Sequence, residues 1–118
     1  MDGAHNLEAI ETLIDTMKSF EKKPYIIFSA LQNKPIKKML RMLSPHCEKM
    51  ILTSFQFPKA EKANVMFSYL ERQHHIVIED WQRALEYATD QAKKNNRPLV
   101  ITGSLYFISE VRKFLINK

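Results

Sequence analysis

Four short apolar runs recur along the chain at near-even spacing: YIIFSAL (25–31), MILTSF (50–55), HIVIED (75–80) and LVITGS (99–104). Each is rich in β-branched or aromatic residues and lacks strict polar alternation, the pattern of strands buried on both faces. Between them the apolar spacing switches to a helical period. Leu7, Ile10, Leu13, Ile14, Met17 and Phe20 form one stripe, with Asn6 as its expected cap and Glu8 and Glu11 near the positive end of the dipole. Ile36, Met39, Leu40 and Leu43 form a second, with Pro35 tolerated at its start and Pro45 beyond its end. Ala63, Met66, Phe67 and Leu70 form a third. Trp81, Ala84, Leu85, Ala88 and Ala92 form a fourth, capped by Asp80 and ended by NNRP (95–98). Leu105, Ile108, Val111 and Leu115 are expected on the inner side of a fifth.

A helix followed by four strand–helix units predicts an α/β domain of the Rossmann-like, three-layer kind. Its sheet should be mostly parallel, of about four strands, with helices on both faces. No repeat, low-complexity segment or linker interrupts residues 1–118, so one domain is expected. A composition of 45% hydrophobic and 26% charged residues is that of a globular chain.

The net charge of +5 admits an anionic partner. The lysines are scattered, however, and no zinc-finger, RNA-binding or recognition-helix pattern accompanies them, so nucleic acid is not expected. The densest group, Lys34, Lys37, Lys38 and Arg41, reads as the solvated face of one helix. No run approaches the ~20 apolar residues that span a bilayer, and no signal peptide is evident. Cys47 is the single cysteine, which rules out an internal disulfide and makes a reducing, cytoplasmic setting the expectation.

Ligands of open α/β sheets bind outside the carboxyl ends of the strands. The candidate segments are therefore SALQNKP (29–35), SFQFPKA (54–60), EDW (79–81) and TGSLY (102–106), with MDGAHN (1–6) if it too follows a strand. Two glycines, Gly3 and Gly103, leave no room for a G-x-x-x-x-G-K-[ST] phosphate loop or a G-x-G-x-x-G fingerprint. Gly103 permits a tight turn or a close ligand. Ser104 can cap the next helix, whose free N–H groups suit a carboxylate or phosphate, although a plain N-cap accounts for this segment as simply. Tyr106 could be ordinary packing. Asp2 and His5 are spaced so that both can face one ligand from a loop or first helical turn; a capping loop explains them equally well. His46, His74 and His75 have no metal-ligand spacing, and the last two are expected in a turn. Cys47, with no adjacent base, reads as a small buried residue.

DGAHN (2–6) and ITGSLYFISEVRKFL (101–115) together resemble the C-terminal domain of the folylpolyglutamate synthase/dihydrofolate synthase family, within the Mur ligase superfamily. YIIFSALQNKPIKKML and MILTSFQFPKA look like its second and third strand segments, so the similarity runs along nearly the whole chain. The resemblance implies a ligase that uses ATP and magnesium to turn a folate carboxylate into an acyl phosphate, which the amine of an incoming glutamate attacks. By match to the motifs, Asp2 would bind the ribose of ATP, and His5 and Asn6 would lie near the phosphates or the glutamate. Ser104 and Tyr106 would help hold that glutamate. Phosphates and magnesium would be held mainly by a central domain whose phosphate loop this sequence lacks, so the chain should be inactive alone. An apolar strand leads into DGAHN in the family, and an acidic A-L-K-D-K-D pattern stands where this sequence has Ala30–Pro35. The chain thus looks like the tail of a longer enzyme, and a strand lost from inside the sheet would be replaced by another chain or a changed strand order, giving self-association. The alternative is a non-catalytic interaction or regulatory domain with the same fold, which the altered QNKP loop favours. A receiver-like domain would need clustered acids, and only Glu79–Asp80 approaches that.

Overall fold

The computed structural model describes residues 3–71 and 75–117, with residues 3–6 as backbone only. Its elements run α1 (Gly3–Lys18), β1 (Tyr25–Ser29), α2 (Ile36–Leu43), a 3-10 turn (Ser44–His46), β2 (Lys49–Ser54), α3 (Ala63–Phe67), β3 (Ile76–Asp80), α4 (Trp81–Asn95), β4 (Leu99–Gly103) and α5 (Leu105–Ile116). The strands form one parallel sheet in the order β3-β2-β1-β4.

Every residue of β1 is buried, as expected of a central strand. Alternate residues of the sheet feed two cores. Ile26, Phe28, Met50 and Leu52 pack with α1, α2 and α3 on one face. Tyr25, Ile27 and Ile51 pack with α4 and α5 on the other. The three-layer arrangement follows.

Local signals explain most boundaries. Asp80 caps α4 by accepting from the backbone N–H of Gln82 at 2.9 Å. Asn96 ends that helix in the left-handed region at φ 55°. Ala84, Leu85, Ala88 and Ala92 are its buried side, as the spacing predicts.

Three expectations need correction. DGAHN is not all loop: α1 already begins at Gly3, so Asn6 lies inside the helix and is not its cap. The inner face of α5 is Phe107, Val111 and Phe114, while Leu105 and Leu115 stay 50% and 49% exposed. The larger apolar area of the two phenylalanines decides which way the helix turns. Nor does the sheet have a gap. β1 pairs directly with both β2 and β4, and the open positions among the described residues are the outer edges of β3 and β4.

A candidate carboxylate-binding site at the switch point

The strand order fixes where a ligand would sit. From β1 the chain steps outward to β2 and β3, then returns to lay β4 on the other side of β1. The segments leaving β1 and β4 therefore diverge to opposite faces, opening a crevice at their carboxyl ends. Ser29 and Gly103 are register partners there.

Gly103 is required by this contact. Its φ is +122°, and an added Cβ would stand 2.0 Å from the carbonyl oxygen of Ser29. The N–H of Ser104 donates to that same oxygen at 2.8 Å. The Ser104 hydroxyl then accepts from the N–H of Tyr106 at 3.1 Å, so the serine is a true N-cap of α5. No acidic residue occupies the first turn of this helix. The N–H groups of Leu105 and Phe107 have no intrahelical acceptor by position, and the dipole adds positive potential. The turn suits an anion such as a carboxylate. Beside it, the hydroxyl of fully buried Ser29 has no hydrogen-bond partner among the described residues.

Two loops are drawn together over this crevice. The Tyr106 ring, 54% exposed, stacks on Phe57 with centroids 4.2 Å apart. Phe57 in turn stacks on Phe55, which packs against Phe107 at 5.4 Å. The loop carrying Phe57 is pinned to the loop after β1: Gln32 N–H donates to Lys59 O at 2.7 Å and Glu61 N–H to Ala30 O at 2.8 Å. Lys59, exposed in that loop, holds a φ of +63°, an uncommon backbone state for a side-chain-bearing residue. The sequence marks SFQFPKA (54–60) as a candidate segment but does not single out Phe57 and Lys59, because only the folded loops bring them to the α5 turn.

Other candidates separate from this site. Asp2 and His74 lie outside the described residues. His5 and Asn6 fall in the first turn of α1, a helix that ends six residues (19–24) before β1 begins at the sheet's amino end. Sixteen residues at ~1.5 Å rise carry that first turn back toward the carboxyl end. His75 is not on an open turn: it is 1% exposed, and its Nδ1 accepts from the Met50 N–H at 2.9 Å. Burial pushes the Cys47 thiol up to about 12, so it is protonated and unreactive near neutral pH. A cleft of about 450 Å³ between the ends of β2 and β3 is lined by Glu79, Asp80 and Trp81, but Asp80 is committed to capping α4. Among the described residues, no three His, Cys, Asp or Glu side chains gather as metal ligands. Among them too, no helix is long and apolar enough to cross a membrane.

Residues 1–105 match the family described as Mur ligase, glutamate ligase domain. The chain belongs to this family. It is 36% identical over 117 residues to the dihydrofolate synthase/folylpolyglutamate synthase of Bacillus subtilis (strain 168), a match covering 98% of this chain and 27% of that protein. Its fold is that of Escherichia coli FolC in complex with ADP, with a TM-score of 0.81 at 21% identity over 99% of this chain and 28% of that one. A bifunctional folylpolyglutamate synthase/dihydrofolate synthase solved with Mn, AMPPNP and L-glutamate bound gives 0.73 at 22% identity, over 98% and 28%. The Mur ligase domain described above therefore spans about a quarter of the length of such relatives, 27% for the Bacillus protein.

Proposed function

We propose that this chain is the glutamate-binding domain of an ATP-dependent ligase that adds glutamate to a folate, working in the cytoplasm as a single domain of a larger assembly. The observation that carries the reading is the α5 turn: Gly103 pressed on Ser29, Ser104 capping the helix and Tyr106 stacked over the crevice. This turn offers N–H groups to a carboxylate of the incoming glutamate, orienting its amine toward an activated folate carboxyl. The amine attacks the acyl phosphate, its C–O bond to phosphate breaks, and an amide forms as inorganic phosphate and a proton leave. Tyr106 and Phe57 wall the glutamate from water, and the exposed cation of Lys59 adds attraction for a second carboxylate. Asp2 would hold the ribose of ATP, with His5 and Asn6 toward the phosphates or the glutamate.

The described residues do not fit the rest of the cofactor. They contain no phosphate loop and no group of carboxylates for magnesium. ATP phosphates and the cation would then be held mainly by residues outside this chain, and the 118 residues alone should not turn over.

A chimera tests the reading: these residues replace the matching segment of the Bacillus subtilis enzyme. Ser104→Ala should raise the KM for glutamate about tenfold, because the hydroxyl that accepts from the Tyr106 N–H keeps its own O–H to donate to the carboxylate. It should also cost about 1 kcal/mol as a lost cap. Ser104→Gly separates the two effects, because glycine at an N-cap costs only about a few tenths of a kcal/mol but carries no hydroxyl. It should nearly keep the melting temperature and still raise the glutamate KM, whereas an unchanged glutamate KM would overturn the assignment. Asp2→Ala should raise the KM for ATP and leave that for glutamate unaltered.

A further inference from the structure

The hydroxyls at the carboxyl ends of β1 and β2 and at the start of α5 belong to Ser29, Thr53, Ser54 and Ser104. Three of them hold backbone. Thr53 donates to the Glu79 carbonyl at 3.1 Å, Ser54 accepts from the Ala63 N–H at 3.1 Å, and Ser104 caps α5. Ser29 is the exception: it is 0% exposed, yet its hydroxyl has no partner among the described residues. Burying a hydroxyl without a hydrogen bond is unfavourable, and an alanine would fill the same place without that cost.

The strand turns this hydroxyl toward α5. Side chains alternate along β1, so Ile26 and Phe28 face α1, α2 and α3, while Tyr25 and Ile27 face α4 and α5. Ser29 is the next member of the second set. Its backbone is already tied to the start of α5: the Ser29 carbonyl accepts from the Ser104 N–H at 2.8 Å, and its register partner Gly103 brings no side chain of its own. With that carbonyl engaged, Ser29 still has its O–H to give, a donor beside the positive end of a 12-residue helix. A donor in that place suits a carboxylate, whereas the helix dipole disfavours an ammonium group.

We propose that Ser29 is a substrate-binding residue whose hydroxyl donates to the glutamate carboxylate held at the start of α5. The inference rests on the ligase reading above and deepens it, because that reading leaves Ser29 without a role. A carboxylate has about four acceptor positions on its two oxygens. The N–H groups of Leu105 and Phe107 and the O–H groups of Ser104 and Ser29 match that number. Donors from two strand ends fix the plane of the carboxylate as well as its position. Because the Ser29 hydroxyl is fully buried, the carboxylate reaches it only as the crevice opens. The Tyr106 and Phe57 rings, 54% and 38% exposed, form the part of the wall that can swing into solvent, so entry of glutamate unstacks them.

Ser29→Ala in the Bacillus subtilis chimera tests this. It should raise the glutamate KM about tenfold, as one hydrogen bond to a charged group is lost. The kcat and the KM values for ATP and folate should stay within about twofold, the signature of a lost binding contact. Equal rises in all three KM values would mark a distorted crevice and overturn the proposal. A glutamate KM unchanged by Ser29→Ala but raised by Ser104→Gly would also overturn it, while leaving the ligase reading intact. If neither variant moves the glutamate KM, the ligase reading itself fails. Amide-resolved NMR titration of the 118-residue chain with L-glutamate reads the contact without turnover. Glutamate should shift the amides of Ser29, Leu105 and Phe107, and Ser29→Ala should weaken that binding about tenfold. Shifts at Leu105 and Phe107 of undiminished affinity in Ser29→Ala would remove Ser29 from the site.

Discussion

At Gly103 and Ser29 two single atoms decide the geometry of the crevice. A methyl group on Gly103 has nowhere to go, because the Ser29 carbonyl stands 2.0 Å from its ideal position and φ is +122°. Gly103→Ala should cost more than about 3 kcal/mol, as steric overlap and an unfavourable φ act together. Ser29→Ala removes a buried hydroxyl that has no partner among the described residues, so it should be neutral or stabilising by up to about 1 kcal/mol. Urea denaturation of both variants checks the pair; a large loss in Ser29→Ala would mean that the hydroxyl is satisfied after all. The need for glycine at the end of β4 was legible, since a strand running into a helix must turn sharply. Its partner was not. Ser29 is separated from it by the length of three strand–helix units, and only the strand order makes them neighbours.

At the scale of elements, the four strands were legible because parallel strands buried on both faces carry uninterrupted apolar residues. The caps Asp80 and Ser104 were legible because their chemistry is local. The face of α5 was not, because Leu105 and Phe107 both satisfy a helical period and only competition for the core chooses between them. β4 presents the element with the least protection. It is an edge strand whose five residues, Leu99–Gly103, are all uncharged and half-buried, with none of the charges that discourage edge pairing. β3, at the opposite edge, ends on Glu79 and Asp80. The isolated chain should therefore self-associate with rising concentration through β4, and Thr102→Lys should suppress it. Sedimentation velocity over a concentration series reads this directly. A parent chain that stays monomeric throughout would show that the β4 edge is covered by other means.

Across the whole molecule, the site is assembled from parts that lie far apart in sequence. The α5 turn, the loop after β2 and the loop after β1 converge because β1 sits between β2 and β4, and the fold returns to it twice. Aromatic stacking is what joins them on the outer side. Phe57 and Tyr106 lie in different halves of the chain, yet their rings stack at 4.2 Å with 22° between planes. Both rings are partly in solvent, at 38% and 54% exposure, so the pair adds little burial and acts chiefly as a strap over the crevice. Phe57→Ala and Tyr106→Ala, alone and together, measure that strap. The double-mutant cycle should give a coupling of about 0.5–1 kcal/mol in global stability, the value of an offset aromatic pair. Each single variant should also loosen the loop after β2, seen as faster amide exchange at Gln32 and Glu61, whose N–H groups hold that loop to the end of β1. A coupling near zero with unchanged exchange would mean that backbone bonds alone close the loops. The crevice would then be preformed without its aromatic wall, and Tyr106 would be free to serve only the ligand.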